Sequence, residues 1–406
     1  MKKCLYWAVL LLCVSCGADD TDSEKGPTKP TNPVTPENPV NSSQVITYTS
    51  SNDYIVQPTV TSGFGANLIS NTYEEGVGKM VFDGPVTTIG PRAFELCITL
   101  TSITLPNTIR TIEEGAFLSC YRLTNISIPD NVISIGVRAF NGCSGLTSIT
   151  LSKNLVSIGE SALSFCSSLT NITIPDKVTE IGKSAFYNCS GLTNITFSKN
   201  LVSIGESAFI SCSSLTNITI PDKVTEIGKY AFYGCSGLTN ITLSKNLVSI
   251  GEWAFSSCSS LTNITIPDKV TEIGESAFNG CKGLQSVIIG KGITAIGYRM
   301  FSDLANLRNV TIGENVTSIG IWAFSGCTSL TEITIPKKVT SIENLAFYGC
   351  SNLTKVYSKA STPPLSSGAF DVWKTAIYLG VPVGSKAAYQ RAEGWKNFQT
   401  IEEVNF

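Results

Sequence analysis

Apolar side chains recur along this chain on a fixed beat. A leucine stands at the same phase every 23 residues from Leu100 to Leu353, and columns of Ile, Ala-Phe and Cys travel with it. The copy from Leu169 to Gly191, LTNITIPDKVTEIGKSAFYNCSG, carries the pattern in full. Leu169, Ile172 and Ile174 have the alternation that turns apolar groups inward from a short strand, leaving Asn171 and Thr173 outward. Pro175 ends that strand. Val178 and Ile181 belong to a second short extended segment, VTEIG, in which Gly182 fits a bend, although Glu113 and Glu343 in the same column indicate that a positive φ is not obligatory. KSAFYNC predicts a single helical or 3₁₀ turn with Ala185, Phe186 and Cys189 pointing inward. Each rung supplies about eight buried groups, and no rung is stable alone.

A period in the twenties headed by Leu-x-x-Ile-x-Ile is the mark of a leucine-rich-repeat solenoid, here a mainly β, right-handed coil capped at both ends. Length alone would argue for two or three domains, but stacked rungs contact only their neighbours and grow as one elongated domain. The repeats are expected over 77–375. The β-rich stretch 46–76 reads as an N-terminal cap that covers the first rung, because an open rung exposes apolar side chains and a strand edge. Residues 376–406 read as a final rung and C-terminal cap, with a short closing helix from Ser385 to Glu393 stopped by Gly394.

The copies are not all alike. Ser152 to Phe197 and Ser198 to Leu243 are 46-residue double units that differ at six positions, and a looser third copy runs from Ser244 to Ile289. Within them PDKVTEIG alternates with SKNLVSIG. Edge chemistry therefore alternates while the core columns stay constant.

Two surfaces are candidates for binding. On the strand face, Asn171, Asn194, Asn217, Asn240 and Asn263 form one row and Thr173, Thr196, Thr219, Thr242 and Thr265 the next. At about 4.8 Å per strand, thirteen or so rungs give a long unbroken polar strip of roughly 60 Å, suited to an extended protein or glycan. The competing reading is that Asn and Thr only hydrogen-bond along their own ladders. The second candidate is the column before Ala, where Ser184 and Ser207 become Tyr230, Trp253 and Trp322. With Tyr187, Ile210, Tyr233 and Tyr348 nearby, these rings either offer an apolar stripe or pack on each other between rungs.

Eleven cysteines share one phase from Cys97 to Cys350, with Leu304 in the one gap. A spacing of 23 has no zinc-site logic, and an apolar substitute points to buried free thiols rather than disulfides between rungs. The chain has no histidine, which removes the commonest general base and imidazole metal ligation. No cofactor or metal is implied. Acidic residues such as Asp176, Glu180, Asp222 and Glu226 recur as repeat decoration, so an enzyme is not expected. Net charge is −2 with 15% charged residues and no basic column, which argues against nucleic acid as a partner.

Residues 1–15 carry Lys2, Lys3 and an apolar run from Leu5 to Val14, the plan of a secretory signal and too short to span a bilayer. Cys13-Val14-Ser15-Cys16 resembles a bacterial lipobox, departing from it at Cys13, and makes Cys16 the candidate lipidation site. Residues 16–45 then read as a lipid-anchored, proline-rich tether of about 3 Å per residue that holds the solenoid off a membrane.

Repeats of the form LTNITIPDKVTEIGKSAFYNC resemble the BspA-like, or Treponema-type, leucine-rich repeats of bacterial surface proteins, over nearly the whole mature chain. The opening ITYTSSNDYIVQP and the ending AIYLGVPVGSKAAYQRAEGWKNFQTIEE are similar to the ends of such proteins in Bacteroides and relatives. The resemblance implies cell-surface attachment and adhesion to host matrix or surface proteins or to other bacteria; with the anchor, the tether and the polar strip, the expected protein is an outer-membrane, cell-surface lipoprotein that binds such a partner or a glycan. The alternative is a structural or nutrient-capture component of an outer-membrane assembly.

Overall fold

A computed structural model describes residues 41–366, 368–370 and 378–406. The expected signal peptide, Cys16 and nearly all of the expected tether lie outside the described residues.

From the first repeat onward the alternation produces the expected strands. In Asn171–Thr173, Ile172 is buried between two exposed residues, and the same pattern holds at Asn194–Thr196, Asn217–Thr219 and Asn263–Thr265. Neighbouring rungs pair in parallel and in register, Asn171 against Asn194 and Thr173 against Thr196. Two-residue strands such as Glu180–Ile181 form a second ladder, continuous over five rungs from Glu180 to Ile273. Between the ladders lies one apolar core. Phenylalanines of successive rungs stack with centroids 5.0 to 5.5 Å apart and planes within 14°, interrupted only at Leu163.

The strand face is not the unbroken ladder that the repeats suggest. Three pairs form from Asn125–Ser127 to Ser148–Thr150, from Asn171–Thr173 to Asn194–Thr196, and from Asn217–Thr219 to Asn240–Thr242. Only one pair joins Ser148–Thr150 to the next strand, and Asn194–Thr196 and Asn240–Thr242 end their sheets without pairing onward. The openings fall where the following rung brings Pro175, Pro221 or Pro267. Proline has no N–H to give to a ladder, and its ring crowds the neighbouring backbone. Accordingly Ile174 and Ile220 donate to the Thr196 and Thr242 carbonyls at 2.8 Å, whereas Phe197 and Leu243 donate no such bond among the described residues.

The interfaces that pair fully also carry edge contacts. Lys153, Lys199 and Lys245 reach Asp130, Asp176 and Asp222 at 2.6 Å, so the alternation of PDK with SKN is complementary. At the open interfaces a weaker contact stands in: Lys223 donates to the Asn200 side chain at 2.6 Å.

KSAFYNC is a succession of tight turns rather than a helical turn. Ala185, Tyr187 and Cys189 donate to carbonyls three residues back, while Ser184, Phe186 and Asn188 donate forward to Glu206, Ala208 and Ile210 of the next rung. The alternation needs left-handed backbone at both ends, and Ser184 and Asn188 have φ of 53° and 56°. Those two columns are left-handed in every repeat, the first from Arg92 to Leu345 and the second from Leu96 to Gly349. Gly182, by contrast, has no positive φ. A Cβ there would lie 2.9 Å from the Ile158 carbonyl oxygen, so the glycine is required by close approach of stacked rungs.

Both ends are closed differently from the middle. Strand β1 (Val45–Ser50) inserts antiparallel between Leu100–Thr104 and β3 (Val77–Phe82), and β2 (Leu68–Glu74) covers β3. The phase of Met80 and Phe82 matches the repeat columns, yet their strand pairs as part of the cap, so the antiparallel cap runs past residue 76 through Phe82. At the other end Tyr378–Pro382 and Thr400–Val404 add parallel strands. The expected closing helix is one four-residue turn, Lys386–Tyr389, with Gly394 at φ 78°. Trp395, fully buried, then ends the aromatic stack against Phe370 and donates to the Pro364 carbonyl at 2.7 Å.

Candidate binding surfaces

All ten strand-face candidates, from Asn171 and Thr173 to Asn263 and Thr265, are exposed. Their hydrogen bonding separates the rows. Four of the five asparagines are tied down: Asn171, Asn217, Asn240 and Asn263 donate to the hydroxyl of the preceding threonine at 3.1 to 3.2 Å, and Asn194 does not. Of those threonines, Thr170, Thr239 and Thr262 in turn donate to backbone one rung back, Thr239 to the Thr216 carbonyl at 2.9 Å. Only Asn240 reaches a neighbouring asparagine, Asn217, at 3.0 Å. Thr173, Thr196, Thr219, Thr242 and Thr265 make no side-chain hydrogen bond among the described residues. Their hydroxyls are thus free to a partner, in parallel register.

The aromatic column is half-buried and lies on the turn ridge. Tyr230 stacks on Trp253 at 6.4 Å and 24°, and Tyr233 meets Tyr230 edge-on at 5.9 Å. Lys229 sits 5.3 Å from the Tyr230 centroid and pairs with Glu252. Trp322 belongs to a separate group: Tyr298 lies 6.0 Å away, and the Arg299 guanidinium covers its ring at 4.0 Å. The rings therefore do pack between rungs. Tyr230, Trp253 and Trp322 also hold φ of 56° to 57°, a conformation that costs a bulky L-residue roughly 1–2 kcal/mol. Nothing in an aromatic-bearing column announces that backbone; the neighbouring column before Cys, with Gly142, Asn188, Gly234, Gly280 and Gly326, does.

The eleven column cysteines are buried free thiols. Each from Cys120 to Cys350 donates its S–H to a backbone carbonyl of the preceding rung at 3.0 to 3.3 Å. Burial pushes Cys189 and Cys235 from an ordinary 9.0 up to about 12, which makes them poor nucleophiles. No helix among the described residues is long and apolar enough to cross a membrane.

A coil of 23-residue β rungs with Leu, Ile, Phe and Cys in register defines a leucine-rich-repeat solenoid. The chain belongs to the BspA type leucine rich repeat family, whose region, in six copies, matches residues 73–193, 162–285 and 249–376. Among solved structures it is similar to a leucine-rich repeat protein from Bacteroides ovatus, at 30% identity and a TM-score of 0.62, covering 82% of this chain and 90% of that one. A leucine rich cell surface protein from Faecalibacterium prausnitzii is 25% identical over 82% of this chain and 86% of its own, with a TM-score of 0.43. No curated protein matches the sequence.

Proposed function

We propose that this protein is a lipid-anchored surface module of the outer membrane that binds an extended partner, a host matrix or surface protein, a glycan chain or another bacterial surface, without catalysis. The observation that carries this reading is the row Thr173, Thr196, Thr219, Thr242 and Thr265, exposed on five successive rungs with no side-chain hydrogen bond among the described residues. A ligand that satisfies one hydroxyl meets its equivalent about 4.8 Å on where the rungs pair, as Thr173 with Thr196 and Thr219 with Thr242. Contacts along one molecule add through effective concentration, so a long ligand gains avidity that a short one lacks. Cys16 supplies the anchor in this reading.

The test uses three cell populations, displaying the protein, its Cys16→Ala variant, or an in-phase deletion of 198–243, each assayed for retention on immobilised fibrous matrix proteins and glycans. The Cys16→Ala protein should leave the cells. The deletion should stay folded, because the rungs on either side stack with every column aligned, and should weaken retention gradually. Complete loss of retention on the deletion, or full retention with Cys16→Ala, would sink the reading.

A further inference from the structure

We infer that the turn ridge between Tyr187 and Trp253 holds a second binding site, which takes a pyranose ring of a neutral oligosaccharide. Here Tyr187, Tyr230, Tyr233 and Trp253 line an open depression of about 600 Å³ whose polar edge is made by Glu206 and Ser211. None of the residues that line it belongs to the threonine row, so it stands independently of the function proposed above.

Three observations converge on it. First, the double units differ where this depression is lined: Ser164, Phe165 and Ser184 of the first copy become Ile210, Ser211 and Tyr230 of the second, and Ser207 becomes Trp253 in the third. The strand-face residues Asn171 and Thr173 and their counterparts Asn217 and Thr219 are unchanged across the first two copies. Second, Tyr230 and Trp253 occupy, at φ of 56° for both, a left-handed position that the matching rungs of the first double unit give to serine, at Ser184 and Ser161. The backbone is the same with serine, so the rings are an addition that the coil does not require. Third, the electrostatics select the ligand. Glu206 is paired with Lys183 at 3.2 Å and Glu252 with Lys229, so the acidic groups here are already neutralised and a charged ligand gains little.

What remains is a set of aromatic faces beside carboxylate and hydroxyl oxygens. The negative face of an aromatic ring attracts the polarised C–H groups on one face of a pyranose, whose equatorial hydroxyls then reach acceptors at the edge. Trp253 is the platform, because one face stacks on Tyr230 and no cation lies over its ring among the described residues. Trp322 is not equivalent, since Arg299 already covers it at 4.0 Å.

The experiment is affinity electrophoresis of the full chain through gels containing mannan, xylan, mixed-linkage β-glucan or amylopectin, with poly-L-proline as a peptide probe. Tyr230→Ser and Trp253→Ser place at each position the residue that Ser184 and Ser207 already hold on the same backbone, so both variants should fold. At least one neutral polysaccharide should retard the protein. The double variant should raise that dissociation constant about tenfold or more, while Trp322→Ser leaves it unchanged. Retardation by none of the polysaccharides, retardation indifferent to the double variant, or ring-dependent binding of poly-L-proline alone would each overturn the inference.

Discussion

The two long surfaces of this solenoid divide their labour in opposite ways. On the strand face the side chains barely change from rung to rung, yet the backbone ladder beneath them opens where Pro221 and Pro267 follow, after Asn194–Thr196 and again after Asn240–Thr242. On the turn ridge the backbone is uninterrupted through the same rungs. Leu163, Phe186, Phe209, Phe232 and Phe255 each donate to the Ala carbonyl of the next rung at 2.7 to 2.9 Å, flanked by two further forward bonds per interface. Five of the six differences between the near-identical double units, at 163, 164, 165, 184 and 188, fall on this ridge. Variation has accumulated where the main chain carries the stacking, so outward side chains there can change without loosening the coil.

That contrast is broken most directly by removing a side chain from each surface. Phe232 is fully buried between Phe209 and Phe255 at 5.2 and 5.3 Å. Phe232→Ala should cost about 3–5 kcal/mol, because both neighbouring rings lose a contact face to a cavity. Asn217→Ala on the strand face should stay within about 0.5 kcal/mol. Denaturant unfolding of the two variants measures the difference; comparable losses would mean that the strand face holds the rungs together after all.

The thiol ladder beneath the turn ridge gives a second test with a defined sign. Burial raises Cys189 and Cys235 to about 12 in the fold from an ordinary 9.0, and Cys166 and Cys212 are raised too by the same cause. The folded chain thus holds these protons more tightly than the unfolded one. Stability from this source is complete below pH 9 and drains away as pH climbs from 9 toward 12. A melting temperature that falls steeply over that window, with thiols unreactive until it does, is the expected outcome. A flat profile to pH 11 would place the sulfurs at the surface.

Much of this architecture was legible in the sequence, for a reason visible in the residues. Leu169, Ile172, Ile174, Ala185, Phe186 and Cys189 are buried because they recur at one phase, and periodicity reports burial directly. What the pattern could not report was backbone pairing. The phase of Met80 and Phe82 predicted an ordinary rung, whereas β1 inserts beside them, because equivalent side-chain positions do not say which strand sits alongside. The left-handed backbone at Tyr230 and Trp253 was hidden for a similar reason: Ser, Arg, Leu, Tyr and Trp fill that column apart from a single glycine, Gly115, and none of them demands a positive φ. The candidate rows of Asn and Thr were legible as exposed positions. Which row is free was not, since it depends on the Asn171 amide turning to Thr170.

The smallest effect tests the cause assigned to the open interfaces. If Pro221 holds the strands Asn194–Thr196 and Asn217–Thr219 apart, then Pro221→Ser should let them pair as Asn217–Thr219 and Asn240–Thr242 already do. Serine is the natural occupant of that column in the alternate rungs, at Ser198 and Ser244, so the substitution introduces no foreign group. One added backbone bond stabilises by about 0.5–1.5 kcal/mol, partly offset by the freedom the unfolded chain regains without proline's ring. Net stability should therefore barely move, and the informative readout is local. In hydrogen exchange the Phe197 amide should begin faster than Ile174, whose bond to Thr196 is 2.8 Å, and should slow toward it in the variant. Leu243, at the next opening and opposite Pro267, should keep its original rate and serve as the internal reference. If Phe197 exchanges equally fast in both proteins, proline is a passenger at these interfaces and the openings follow instead from the packing of the alternating rungs.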